Sequence, residues 1–90
     1  MSTIEQETSL IEKLKKHCLD KLRENNHKSI WYDVPIKELL SMMIGEIFEL
    51  EEAIKFNFTP NEVWREAADV ADFVAMIAEV YEIEYNKNLE

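Results

Sequence analysis

One glycine, two prolines and one cysteine are all that this chain of 90 residues holds of each. Strands joined by tight turns draw on glycine and proline for their turn geometry, so scarcity of both leaves little material for a β fold. A lone cysteine, Cys18, excludes an intrachain disulfide. Its place on an apolar stripe makes a core thiol the simplest reading. No uninterrupted apolar run approaches the roughly 20 residues that a membrane helix needs. The N-terminus is polar and carries no secretory leader pattern, so a soluble cytoplasmic protein is expected. Positive charge is also short. Ten Lys and Arg face nineteen Asp and Glu, for a net charge of −9, which argues against nucleic acid or an anionic membrane as the partner.

What remains is 47% hydrophobic and 32% charged, a globular balance without repeats or low-complexity segments. The length allows one domain over residues 1–90. So short a chain buries a small fraction of its surface, and helices this apolar would gain from a partner subunit. Charge is uneven along it. Residues 13–28 hold Lys13, Lys15, Lys16, Lys21, Arg23 and Lys28 against Asp20 and Glu24, whereas thirteen acids from Glu38 onward meet only Lys55, Arg65 and Lys87. The basic segment is either a solvated helix face or a patch turned to phosphate or to another subunit.

The apolar spacing predicts three helices. In the first, about Thr3 to Glu24, Ile4, Leu10, Ile11, Leu14, Cys18 and Leu22 share one arc. Ser2-x-x-Glu5 and Ser9-x-x-Glu12 both have the form of a capping box at its start. Residues 25–35 read as a loop, and Pro35 suits the first turn of the next helix. That second helix, about Pro35 to Phe56, has an amphipathic seam of Ile36, Leu40, Met43, Ile47, Leu50 and Ile54. Beside it runs a second line of Leu39, Met42, Glu46, Glu49 and Ala53, in which two carboxylates interrupt an apolar row. The third helix opens on Thr59-Pro60-Asn61-Glu62, a capping box with proline at the first helical position, and runs to about Tyr85. Ala67, Ala71, Val74 and Ala78 mark one face; Val70, Phe73, Met76, Ile77 and Val80 mark another. A helix apolar on both sides needs cover on both, so the expected fold is all-α, a small antiparallel bundle of about three helices completed by oligomerisation, with Ala71, Val74 and Ala78 near the contact.

Residues three apart on a helix are neighbours on one face. Glu46 with Glu49, and Glu66 with Asp69, therefore form two pairs of oxygen donors among apolar residues. If the helices are antiparallel the pairs converge. Four facing carboxylates in a dry site must shift their pKa values or hold a cation. Mg²⁺ suits such a set because it combines a few carboxylates with waters and phosphates, and Mn²⁺ is a substitute. The alternative is that all four are ordinary solvated acids. Asp72 reads equally as a ligand, as an acceptor supporting a ligand, or as a surface acid. A di-iron site would call for Glu-x-x-His pairs; His17 and His27 lie outside both acid helices and read as surface residues.

Glu46-Ile-Phe-Glu49, then sixteen residues, then Glu66-Ala-Ala-Asp69 resembles the E-x-x-E … E-x-x-D pattern of the all-α nucleoside-triphosphate pyrophosphohydrolases, the MazG-like superfamily. The surrounding GEIFELEEAI and EAADVADFVAMIAE are similar to that family's two acid helices, and the likeness is strongest over residues 31–80. Trp31 followed by Leu39 and Leu40 looks like a subgroup of small dATP/dGTP pyrophosphohydrolase-like proteins. Gly45 stands where members often carry a second acid, at a helix-propensity cost of about 1 kcal/mol relative to Ala, and would leave room for a close neighbour. Asp72 stands where the subgroup often has Asn.

The resemblance implies hydrolysis of a (deoxy)nucleoside triphosphate to the monophosphate and pyrophosphate. Glu46, Glu49, Glu66 and Asp69 would be metal ligands, with Glu46 or Glu49 the alternative water-orienting base. Lys55 and Arg65 are candidates for phosphate charge, as is a basic residue of a partner in a homodimer or tetramer. Trp31 either stacks on a base or plugs the hydrophobic interior. The competing class is a catalytically silent helical interaction module on the same fold, which has no need to gather its acids in one cleft.

Overall fold

The computed structural model describes residues 1–24 and 31–89. The described chain forms three helices, α1 (Ile4–Glu24), α2 (Ile36–Lys55) and α3 (Pro60–Asn88), with one 3₁₀ turn at Trp31–Asp33 and no strand among the described residues. It is a small all-α bundle, as its composition requires. Most of the expected loop, including His27 and Lys28, lies outside the described residues.

Helix α3 begins where its sequence says. The Thr59 side chain accepts from the Glu62 backbone N–H, and the Glu62 carboxylate takes the Thr59 N–H in return, so two of the helix's orphan donors are satisfied at once. Helix α2 begins one residue later than expected, with Pro35 as the extended residue before it. It stops through Asn57, whose φ of 57° is left-handed. Asn57 N–H reaches Ile54 O at 3.2 Å and Phe58 N–H reaches Ala53 O at 2.9 Å, the paired bonds that close a helix around a left-handed residue. The link to α3 is short, so α2 and α3 fold back on each other as a helical hairpin.

The start of α1 differs from both serine candidates. Thr3 is the capping residue. Its hydroxyl accepts from Gln6 N–H at 3.1 Å and its own N–H donates to Gln6 Oε1 at 2.8 Å. Three capping sequences lie within residues 2–12, and only the one with glutamine at the third helical position is used.

Helix α3 is the hub. Helices α1 and α2 each pack on it, and among the described residues they do not pack on each other. The contacts of α1 lie in its second half: His17 stacks on Trp64 with ring centroids 5.8 Å apart, Cys18 Sγ lies 3.9 Å from Ala68 O, and Lys21 and Glu24 reach Asp69 and Arg65. His17 is therefore half-buried against an aromatic ring rather than a plain surface residue. The apolar arc of α1 is covered only from Leu14 on; Ile4, Leu10 and Ile11 are exposed.

Helix α2 is rotated from its seam. Leu39 (1% exposed) and Ala53 (0%) meet α3, whereas Leu40, Ile47 and Ile54 on the seam stay 41%, 42% and 60% exposed. The packed face thus lies between the two lines: Leu39, Glu46 and Ala53 of the acid line share it with the half-buried Ile36, Met43 and Leu50, while Met42 and Glu49 are exposed. The spacing of two helices depends on the side chains at their contact, and the short Ala53 lets α3 approach closely at the hairpin end. No such approach occurs at Gly45, where an added Cβ would meet nothing within 4 Å. The two faces of α3 separate only in part. Val80 is buried and Val70, Phe73, Met76 and Ile77 are half-buried, but so are Ala67 and Ala71 of the other face, and only its Val74 and Ala78 are exposed. Ile54 with Val63, Trp64 and Ala67 lines an open apolar hollow of about 460 Å³ at the hairpin end.

Candidate metal centre

Antiparallel packing of α2 on α3 sets Glu46 opposite Glu66 and Asp69. One carboxylate oxygen from each of the three lies within 4.8 Å of the other two. All three residues are half-buried. Glu46 Oε2 and Glu66 Oε2 are enclosed and have no hydrogen-bond partner. A buried oxygen left unpaired costs roughly 1–3 kcal/mol, more when charged, so the arrangement is poor as a resting end-point and well suited to receiving a cation.

The titration behaviour follows from this crowding. Burial, then the Glu49 carboxylate beside it and the charges of Asp69 and Glu66, push Glu46 from 4.5 up to about 7. Burial and then Asp69 and Glu49 raise Glu66. Burial raises Asp69 too, against the pull of Lys21. Desolvation and like charge act in the same direction on a carboxyl group, which is why every member moves up. Three hard oxygen donors whose charge is this unfavourable suit a hard divalent ion such as Mg²⁺.

Three of the four expected ligands therefore come together. Glu49 adjoins Glu46 but is exposed, so it stands at the solvent edge of the group. Asp72 is not a surface acid. It is 7% exposed, the single buried charged residue among those described. Its carboxyl rises to about 6, through burial first and Asp69 next, against a hydrogen bond from Cys18 and the charge of Lys21. In turn, burial and then Asp72 push the Cys18 thiol up to about 11. A thiol so reluctant to ionise is inert as a nucleophile, consistent with a structural role.

The remaining candidates are spread out. Arg65 lies at the rim, where its Nη2 donates to both oxygens of Glu24 at 2.9 Å. Lys55, at the far end of α2, sits over the Phe56 ring at 5.7 Å. Trp31 is half-buried, with its indole N–H enclosed and unpartnered and its ring 5.0 Å from that of Tyr32. The Tyr32 hydroxyl lies against Glu79, ten positions beyond Asp69 and so about 15 Å along α3. Within one chain, the tryptophan and the acid group are separate features. The cation in contact with the acids is Lys21, which was not among the candidates for phosphate charge, Lys55 and Arg65. Its Nζ is 3.3 Å from Asp69 Oδ2. The only sequence signal for it was membership of the basic segment of α1.

No protein-family model, no curated protein and no solved structure matches the chain. None of the helices is long and apolar enough to cross a membrane among the described residues.

Proposed function

We propose that this chain is a Mg²⁺-dependent nucleoside-triphosphate pyrophosphohydrolase of the MazG-like type, cleaving between the α- and β-phosphates to release pyrophosphate. The observation that carries the reading is the meeting of Glu46, Glu66 and Asp69 within 4.8 Å, with two enclosed and unpartnered oxygens among them. The E-x-x-E … E-x-x-D spacing supports the choice of reaction. An interaction module would gain nothing from bringing buried acids together at such cost.

Glu46, Glu66 and Asp69 would hold the ion, which supplies charge neutralisation for the polyphosphate and acidifies a bound water. Glu49, at the solvent edge and beside Glu46, is positioned to accept a proton from that water. Asp72, hydrogen-bonded to the Cys18 thiol and close enough to feel the charge of Asp69, would stand behind that ligand. Arg65 and Lys21 bring positive charge to the rim where phosphate oxygens arrive. A nucleotide substrate fits a cytoplasmic protein.

We also read the chain as a homo-oligomer, a dimer or a tetramer. Support comes from the exposed Leu40, Ile47 and Ile54 of α2 and Val74, Tyr81 and Tyr85 of α3. So much uncovered apolar surface on a small protein marks an association site.

The test is a panel of standard and damaged ribo- and deoxyribonucleoside triphosphates, assayed for pyrophosphate release with and without Mg²⁺. Release by the wild type that is lost in Glu66→Gln supports the reading. Absence of metal-dependent release from every nucleotide in the panel overturns it in favour of the interaction module.

A further inference from the structure

The acid group carries a cation of its own. Lys21 reaches from α1 across the flank of α3 to Asp69, and both side chains are largely withdrawn from water, at 19% and 17% exposure. A lysine so placed gives up hydration and rotamer freedom. What holds it is the accumulated negative charge: its ammonium pulls down the pKa of Glu66, Asp69 and Asp72 alike. Arg65 does not compete for the position, being taken up by Glu24. Glu24 also lies 3.8 Å from Lys21 Nζ, on the solvent side, so an outward path for the ammonium already has an acceptor.

We propose that Lys21 is an internal counter-ion, exchanged against the divalent metal and then turned to the substrate's phosphate chain. The proposal rests on the metal-dependent reading above. In the metal-free protein the ammonium offsets the repulsion among the carboxylates and ties α1 to α3. On metal loading, Asp69 turns to the ion, and like charge drives the ammonium outward. The flexible four-carbon stem of lysine allows that swing without movement of the backbone. The released ammonium then faces the rim, where it binds phosphate oxygens as a point charge. Phosphate capture thereby depends on metal loading, because the lysine is engaged with Asp69 until the ion is in place. Lys21 contacts the substrate's phosphate chain in this scheme and takes no part at the reacting phosphorus.

The measurement is calorimetric titration of chelator-stripped wild type, Lys21→Met and Lys21→Arg, first with MnCl₂ alone and then, at saturating Mn²⁺, with inorganic pyrophosphate. Removal of a competing cation should tighten Mn²⁺ binding in Lys21→Met about 5- to 10-fold, and loss of a phosphate contact should weaken pyrophosphate binding by about the same factor. Lys21→Arg should stay near the wild type. A simple α1–α3 clamp predicts otherwise: a lower melting temperature, with both affinities unchanged or both weakened. Either pattern overturns the proposal. If the wild type binds Mn²⁺ and Lys21→Met binds it equally well, only the role of Lys21 falls. If the wild type binds no Mn²⁺, the metal reading falls with it. Should Lys21→Met fail to fold, the wild type still decides. The ¹⁵N resonance of the Lys21 ammonium should shift on saturation with Mg²⁺ and again on addition of pyrophosphate, and a resonance that stays in place refutes the exchange.

Discussion

Glu46→Gln should make the metal-free protein more stable at pH 8, and the gain should shrink as the pH falls. The folded Glu46 carboxyl sits at about 7 against an ordinary 4.5, because burial and the neighbouring acids oppose its charge. Between those values the folded state holds a proton that the unfolded chain has given up. The stability contributed by that proton is fully present below pH 4.5 and is lost as the pH rises to 7. At about 1.4 kcal/mol for each tenfold change in proton affinity, the whole penalty at pH 8 is at most about 3 kcal/mol. Partial solvent access and sharing of the repulsion with Glu49, Glu66 and Asp69 reduce it to about 1–2 kcal/mol. Glutamine has the same shape without the charge and recovers that amount. For a domain this small, 1 kcal/mol corresponds to roughly 4–8 °C, so the melting temperature should rise by about 5–15 °C at pH 8. By pH 5 the gain should be about a quarter as large. Thermal melts followed by circular dichroism in EDTA, at pH 5, 6, 7 and 8, measure it. Equal melting temperatures for variant and wild type at pH 8, or a gain that does not change with pH, would refute a repulsive acid cluster.

The other expectations concern the metal, the α3 cap, Asp72 and assembly. Millimolar Mg²⁺ should raise the wild-type melting temperature at pH 8, since a ligand bound only by the folded state stabilises it, and should leave that of Glu66→Gln unmoved. Thr59→Ala should cost about 1 kcal/mol in chemical denaturation by removing the hydroxyl that accepts from the Glu62 N–H, and Thr59→Ser far less. Asp72→Asn should lower turnover about 10- to 100-fold, as loss of a residue supporting a metal ligand does, while Glu51→Gln and Glu82→Gln stay within a few fold; a loss at Glu51 as large as at Glu49 would mean that the acids of α2 are misassigned. Light scattering should give at least twice the chain mass of 10.7 kDa, and Val74→Glu with Ile47→Glu should return the protein to one chain.

Much of the fold was legible because its signals are local. A capping box needs only four consecutive residues, so the start of α3 at Thr59 could be read directly. Local rules also place Glu46 with Glu49, and Glu66 with Asp69, on common faces, whatever the rest of the chain does. Where a local rule is degenerate it failed: Ser2, Thr3 and Ser9 all offer a cap, and the choice of Thr3 rests on its exchange with Gln6.

The sequence by itself therefore determined the helical class, the three helices and the pairing of the acids along each helix, since all of these depend on residues within one or two turns. Only the tertiary structure decided how α2 is turned about its axis, because an apolar arc has two edges and the partner helix selects one. That choice covered Leu39 and Ala53, left Ile47 and Ile54 open, and brought Glu46 rather than Glu49 into the enclosed group. The path of α1 over α3 is likewise non-local. It buried Asp72 beside Cys18 and carried Lys21 to Asp69, 48 positions away in the chain. No periodicity records such a pair, because its geometry exists only once the two helices have packed.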